Sequence, residues 1–518
     1  MKKKFSAKIK RNLIKKLNLS LLIALSFTFS DVYAYSDVPK GHWAQKYIES
    51  LSEKGIIQGI KNDKFGMGKP VKHSEFNSML AKVTGGSVLP SVKDGYITRE
   101  EAAVKIVSQI ISHLNCGDLY KDIEAKNSPF SDADNGFITM AYDFGIISGK
   151  GYNTFFPNDT LSREEAAVII SGLYERYNPK IDFIHGFYAI SSWAQRDLAA
   201  KTDCISFGWS RLEYDNKKGV ILNTTSENNN DWKIPDGSDE AINYFKEKNI
   251  PINLAVIMNT EQNGKNDENA CRTILLSEEN RKKAVESIIS ASSDFNGVTI
   301  DFEGMKGDEL KNGLNLFLNE LRQNLPSEKS IYTAVHPIMS GEYYNGYDYK
   351  TIGKISDMVI IMAHDYGASS MNEEERNAGF TTTPVTPFNQ IYTALKEASS
   401  QIDDKSKISL ALSLAATSCW TLDENGKVTN EYSEHPSQET VEKRLSQPDT
   451  VIEYSDKYKN PKAVYTNGKN QKTVLWYENS QSVQDKIYLA KMFGINKISI
   501  WRVGQITDDI WRTIENMR

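Results

Sequence analysis

The sequence predicts a multi-domain chain: a mainly α-helical repeat region followed by an α/β domain built as a (β/α)8 barrel with a small α+β insertion. Three observations carry that expectation. Residues 35–177 repeat themselves, residues 178–518 alternate eight short β-rich runs with amphipathic helical stretches, and the residues with chemistry in them fall at the ends of those runs. With 518 residues, 40% of them hydrophobic and 25% charged, the chain can bury more than one core.

Residues 1–34 read as a secretory signal. Eight Lys/Arg by Lys16 precede an apolar stretch from Leu17 to Phe29, and "VYA" ends at Ala34, where cleavage is expected. The apolar stretch falls short of the roughly 20 residues that span a bilayer, so no membrane insertion is expected after cleavage. This segment carries a net charge of +7, which leaves −12 on the remainder against −5 for the whole chain. An acidic chain with no basic stripe is not built to hold nucleic acid. Cys116, Cys204, Cys271 and Cys419 are too sparse for a disulfide scaffold and read as buried thiols. No metal-ligand spacing occurs, and no metal or cofactor is expected.

Within residues 35–177, "SDVPKGHWAQKYIESLSEKGIIQG" (36–59) is echoed by "SDADNGFITMAYDFGIISG" (131–149), each followed by a Phe-containing turn. Three helix starts follow the same plan, "HSEFNSMLAKV" (73–83), "ITREEAAVKIVSQII" (97–111) and "LSREEAAVIISGL" (161–173). In each a Ser or Thr precedes an acidic residue and an apolar face at helical spacing. The middle copy lacks a clear front half. These features resemble the S-layer homology module, with "FFPNDTLSREEAA" (155–167) the closest stretch. The resemblance implies about three modules holding an acidic secondary polysaccharide of a Gram-positive-type cell wall. Arg99 and Arg163 would be the anion contacts and Trp43 a wall of the groove. A guanidinium at a helix start can fork onto a carboxylate while the helix N-terminus adds its positive end. The alternative for both arginines is pairing with neighbouring acids on a solvated face.

The eight β-rich runs are 181–190, 203–210, 252–258, 297–303, 330–337, 357–366, 407–416 and 497–504. Helical patterns such as "NLFLNELRQNL" (315–325) separate them, and the polar, Tyr-rich stretch 421–474 is long enough to be the insertion. Active sites of such barrels sit at the C-terminal ends of the strands. Asp301, Glu303, His364, Asp365 and Trp501 all fall there. In "NGVTIDFE" (296–303) Asp301 and Glu303 lie two apart on one strand face, with α-carbons about 6.6 Å apart. Carboxylates so placed do not straddle a sugar ring as an ordinary glycosidase pair does. One can act as general acid while the other raises its proton affinity, and the nucleophile must come from elsewhere. Phe187, Tyr188 and Trp209 sit at early strand ends, where stacking on a sugar and core packing are equal accounts. His185 and His336 read as core histidines.

These positions resemble glycoside hydrolase family 18, in particular its bacterial wall-lytic and spore-cortex-lytic branch. The family's "DGxDxDxE" appears as "NGVTIDFE", with Asn296 and Thr299 in place of two acids; its "MxYD" appears as "MAHD", and its last strand as "NKISIWRVG". The resemblance implies substrate-assisted retaining catalysis. Glu303 would be the general acid/base and Asp301 would orient the 2-acetamido group and offset the oxazolinium charge. His364, Asp365, Trp501 and Tyr188 would bind the sugar. His364 in place of Tyr would either donate from a ring nitrogen, making activity depend on pH near about 6.5, or mark an altered specificity. The resulting expectation is a secreted, wall-attached glycosidase cutting β-1,4 bonds next to N-acetylglucosamine, with peptidoglycan or spore cortex ahead of chitin. Asn296, Thr299 and His364 motivate an alternative, a non-catalytic barrel that binds N-acetylglucosamine glycans.

Overall fold

The structure is a computed structural model. It describes residues 35–61, 63–86, 95–124, 128–177, 180–260, 267–338, 344–378 and 382–518, and the expected signal segment lies outside them. Among these residues no helix is long and apolar enough to cross a membrane. The chain forms two compact units, one made of residues up to 102 with 158–172, the other of 103–157 with 173–518.

The first unit explains why the repeat motifs recur. Short bridges join Pro70 to Ser162, Lys72 to Tyr96 and Thr98 to Thr160, just ahead of the helices that begin at His73, Arg99 and Arg163. The backbone closes a ring there: Val71 N donates to Leu161 O, Leu161 N to Ile97 O and Ile97 N to Val71 O, each at 2.9 Å. Glu101 and Glu165 reach back to the amides of Thr98 and Ser162 at 2.8 and 2.9 Å, and each cap hydroxyl accepts in return. The first copy departs from the expected Ser cap. Its helix begins at His73 with Lys72 as the cap, and Glu75 reaches back to the Lys72 amide at 3.1 Å. The "SD" of each front half also has a physical role. Asp37 accepts from the amides of Phe65 and Gly66 at 2.6 and 2.7 Å. In the second unit Asp132 does the same for Phe155 and Phe156 at 2.7 and 2.8 Å.

In the second unit eight parallel strands close a barrel: β1 (Phe183–Tyr188), β2 (Cys204–Asp215), β3 (Ile252–Asn259), β4 (Gly297–Glu303), β5 (Ser330–Val335), β6 (Met358–Ile361), β7 (Ile408–Ser413) and β8 (Lys497–Val503). β8 pairs with β1, so no edge remains between them. The antiparallel strand Gly219–Asn223 extends β2. Helices including Gly307–Asn324, Phe388–Gln401 and Ser480–Met492 cover the outside with their apolar faces. β6 stops at Ile361, earlier than the expected 366. Met362 N still donates to Val335 O at 3.0 Å, Ala363 to Asp365 leave the ladder, and Asp365 takes φ +64°. A separate four-stranded antiparallel sheet, Val451–Ser455, Asn460–Thr466, Lys472–Trp476 and Ser418–Leu422, with helix Gln438–Leu445, forms the insertion.

Inward residues alternate along each strand and stack in layers. The lower layer is polar. His185 Nε2 meets Ser206 Oγ at 2.7 Å and its Nδ1 meets Ser499 Oγ at 3.2 Å, while Ser206 meets Thr299 Oγ1 at 2.7 Å and Ser499 meets Ser409 at 2.8 Å. Burial pushes the His185 imidazole down to about 3, so the chain of hydroxyls is built on a neutral ring. Above it lies an apolar layer of Phe187, Ala334, Ile360 and Ala411, against which Trp501 packs.

Candidate active site

β4 carries Thr299 in the polar layer, Asp301 in the apolar one and Glu303 at the strand end, all on one face. Asp301 is buried, and its Oδ1 has no hydrogen-bond partner among the described residues. Burial lifts its carboxyl above the ordinary range. Glu303 is lifted too, first by burial and then by the charge of Asp301, with the charge of His364 and a hydrogen bond from Asn259 working the other way. Asn259, in register with Glu303 at the end of β3, donates from Nδ2 to Glu303 Oε2 at 2.6 Å. Each carboxylate raises the proton affinity of the other, so the buried pair holds a proton to higher pH than an ordinary carboxylate does.

A cavity of about 370 Å³ opens at Asp301, with Phe187, Trp209, Trp232, Ile257 and Trp501 among its other walls. Trp501, at the end of β8, meets Phe187 edge to face at 5.3 Å and faces Trp232 at 6.3 Å. Its peptide bond to Arg502 is cis. Tyr188, expected as a sugar contact, contributes to the wall but is 2% exposed, held between the rings of Phe207 and Phe245. His364 Nδ1 contacts Asp365 Oδ2 at 2.6 Å in the loop after β6; the His364 side chain is 8% exposed and that of Asp365 69%. His336 stacks on Tyr344 at 4.1 Å, and burial pushes its imidazole down to about 4.

The model for the glycosyl hydrolases family 18 matches residues 184–505. The chain belongs to glycosyl hydrolase family 18. The S-layer homology domain matches residues 34–76 and 129–167. The cortical fragment-lytic enzyme of Bacillus subtilis (strain 168) is 26% identical over 266 residues, 50% of this chain and 58% of that one. The cortical fragment-lytic enzyme of Bacillus anthracis is 26% identical over 270 residues, 51% and 59% of the two chains. The match thus spans less than two thirds of these curated relatives. Among solved structures, the spore cortex-lytic enzyme SleL of Bacillus cereus superposes with a TM-score of 0.54 at 20% identity, covering 65% of this chain and 74% of that one. A chitinase from Chromobacterium violaceum gives 0.53 at 17% identity, covering 65% and 98%. At such identities these structures establish the shared barrel fold.

Against that family, the two substituted acids have physical explanations. Asn296 keeps a carbonyl oxygen where the acid would be; it accepts from Ile252 N at 3.0 Å and so ties the starts of β3 and β4 together. Thr299 enters the buried hydroxyl chain, where a carboxylate would face an uncharged imidazole. Sequence reasoning missed Asn259 and Trp232. Asn259 could have been found as the residue paired with Glu303 across two parallel strands. Trp232 lies in a loop without periodicity, and its signal was Gly208. A β-carbon there would come within 2.9 Å of the Trp232 ring.

The residues expected to hold wall polymer lie in the first unit. Trp43 is 55% exposed. Arg99 and Arg163 are instead buried, and the fork expected to meet an outside anion is engaged internally. Arg163 donates to Phe65 O at 2.8 Å, Gln58 O at 2.5 Å and Glu75 Oε1 at 2.7 Å. Arg99 lies 3.7 Å from Glu165.

Proposed function

We propose that this protein is a secreted, wall-anchored hydrolase that cuts β-1,4 bonds next to N-acetylglucosamine, with peptidoglycan or spore cortex as substrate ahead of chitin-like polymers. The observation that carries the reading is the buried, unpartnered Oδ1 of Asp301 in the wall of an aromatic cavity, two residues from a carboxyl whose proton affinity is raised. Such an oxygen lacks the N–H that a 2-acetamido group supplies. With a sugar seated on Trp501, Asp301 holds that amide so that its carbonyl oxygen faces the anomeric carbon. Glu303 gives its proton to the glycosidic oxygen as the acetamido oxygen attacks. The leaving sugar departs with the proton, and the oxazolinium that remains carries a charge offset by Asp301. Glu303, now ionised, takes a proton from the water that opens the ring, and the configuration at the anomeric carbon is retained. His364 and Asp365 border the acetamide from the loop after β6.

The matched S-layer homology regions and the relatives named cortical fragment-lytic enzyme support the wall as the setting. Exposed Trp43 is the aromatic surface proposed to meet the wall polymer, while Arg99 and Arg163 pair internally with Glu165 and Glu75.

The test is to incubate the protein and its Glu303→Gln variant with purified peptidoglycan and with chitin oligomers, and to read new reducing ends by mass spectrometry. New ends at N-acetylglucosamine with the parent alone support the proposal. Binding without cleavage by either would overturn it in favour of a glycan-binding barrel.

A further inference from the structure

Arg502 follows Trp501 at the end of β8 and lines the cavity together with Lys233, the residue after Trp232. Every other arginine between residues 180 and 518 is engaged by a carbonyl, a carboxylate or an aromatic face. Arg502 and Lys233 have no such partner among the described residues. Asp231, exposed on the same rim, pairs with neither. The two cations therefore flank a pair of indoles 6.3 Å apart, and Gly208 is the residue that lets the second indole lie against β2.

A guanidinium presents a planar fork of donors that a carboxylate fills with two parallel hydrogen bonds. Left open beside an apolar cavity, that fork selects for a negatively charged neighbour of the bound sugar. Chitin offers none. In a wall glycan every second N-acetylated sugar carries a lactyl ether arm, which ends in a carboxylate when free and continues to one when it bears a short peptide stem. We propose that Arg502, with Lys233 beside it, is the specificity-determining subsite of this cavity, taking the carboxylate borne on the lactyl arm of the sugar next to the one seated on Trp501. This rests on the reading that the cavity seats an N-acetylated sugar.

The test uses the full chain carrying Glu303→Gln, so that glycans bind without being consumed. Calorimetry compares four tetrasaccharides: one alternating N-acetylglucosamine and N-acetylmuramic acid, the same with a single alanine on each lactyl arm, its lactyl methyl ester, and chitotetraose. The expected result is binding of the free acid or the alanyl form about ten-fold or more tighter than the ester and chitotetraose. Adding Arg502→Gln should bring that ratio to within about two-fold, and Arg502→Lys should restore part of it. The stronger of the two acidic forms identifies which carboxylate is read. Equal affinity for acid and ester, or a ratio that survives Arg502→Gln, overturns the subsite. Hydrolysis of the same glycans by the parent is read in parallel. Failure to cleave any of them sinks the hydrolase proposal, whereas a neutral preference sinks only the subsite.

Discussion

Asn259 donates to Glu303 from the neighbouring strand, and so lowers the proton affinity that burial and Asp301 together raise. The basic limb of the pH–rate profile should therefore report Glu303 losing its proton. Asp301→Asn removes a like charge and should move that limb to lower pH; Asn259→Ala removes a donor to the ionised form and should move it to higher pH. Profiles that shift the same way in both variants would contradict the assignment. Glu303→Gln should cost about 10²- to 10⁴-fold in kcat. The same substitution should stabilise the fold in alkali. A carboxyl whose folded pKa is raised costs nothing below its unfolded pKa of about 4.3, progressively more as pH rises from there towards the folded value, and a constant amount above it. Thermal melts of the variant should thus sit roughly 2–4 °C above the parent at pH 8 and coincide with it at pH 4. Asp301, Glu303 and Trp501 are legible in the sequence because strand period and barrel order place them. Asn259 and Arg502 have no motif, and their importance arises only from what lies opposite them.

The eight strands are legible because each is a short apolar run between turn signals, but where they end depends on the ladder. β6 ends at Ile361 with only the Met362 amide still bonded to Val335 O, and the apolar run continues to Ala363 beyond the ladder. The insertion is legible as a polar interruption, yet its attachment is not. Lys486, on helix Ser480–Met492, reaches Glu478 at 2.5 and 2.7 Å, Thr386 at 2.9 Å and Asn460 at 3.3 Å, with both charged side chains about 2% exposed. This buried pair joins the insertion strand that begins at Asn460 to the barrel wall. Lys486→Met leaves Glu478 buried and unpaired and should cost about 3–5 kcal/mol, read by urea unfolding. Lys486→Met with Glu478→Leu should recover most of the loss. Gly208 offers a test that spares the fold. Gly208→Ala should displace the Trp232 indole and weaken glycan binding while far-ultraviolet circular dichroism stays unchanged.

For the whole molecule, the repeat and the barrel carry separate expectations. Three helix starts tied in a ring of backbone hydrogen bonds explain why the sequence repeats there, and why its arginines turn inward onto Glu75 and Glu165. A motif shows where an arginine stands but not which acid will meet it. The full chain should sediment with wall sacculi and cease to do so once the secondary polysaccharide is stripped; unchanged sedimentation would contradict wall anchoring through that polymer. The central claim is that the sugar's own amide supplies the attacking oxygen. Its most direct test is the rate of cleavage of one wall glycan before and after removal of its N-acetyl groups. The account predicts that hydrolysis ceases on the de-N-acetylated strand while the acetylated control is cut. Cleavage of both at the same rate would contradict it.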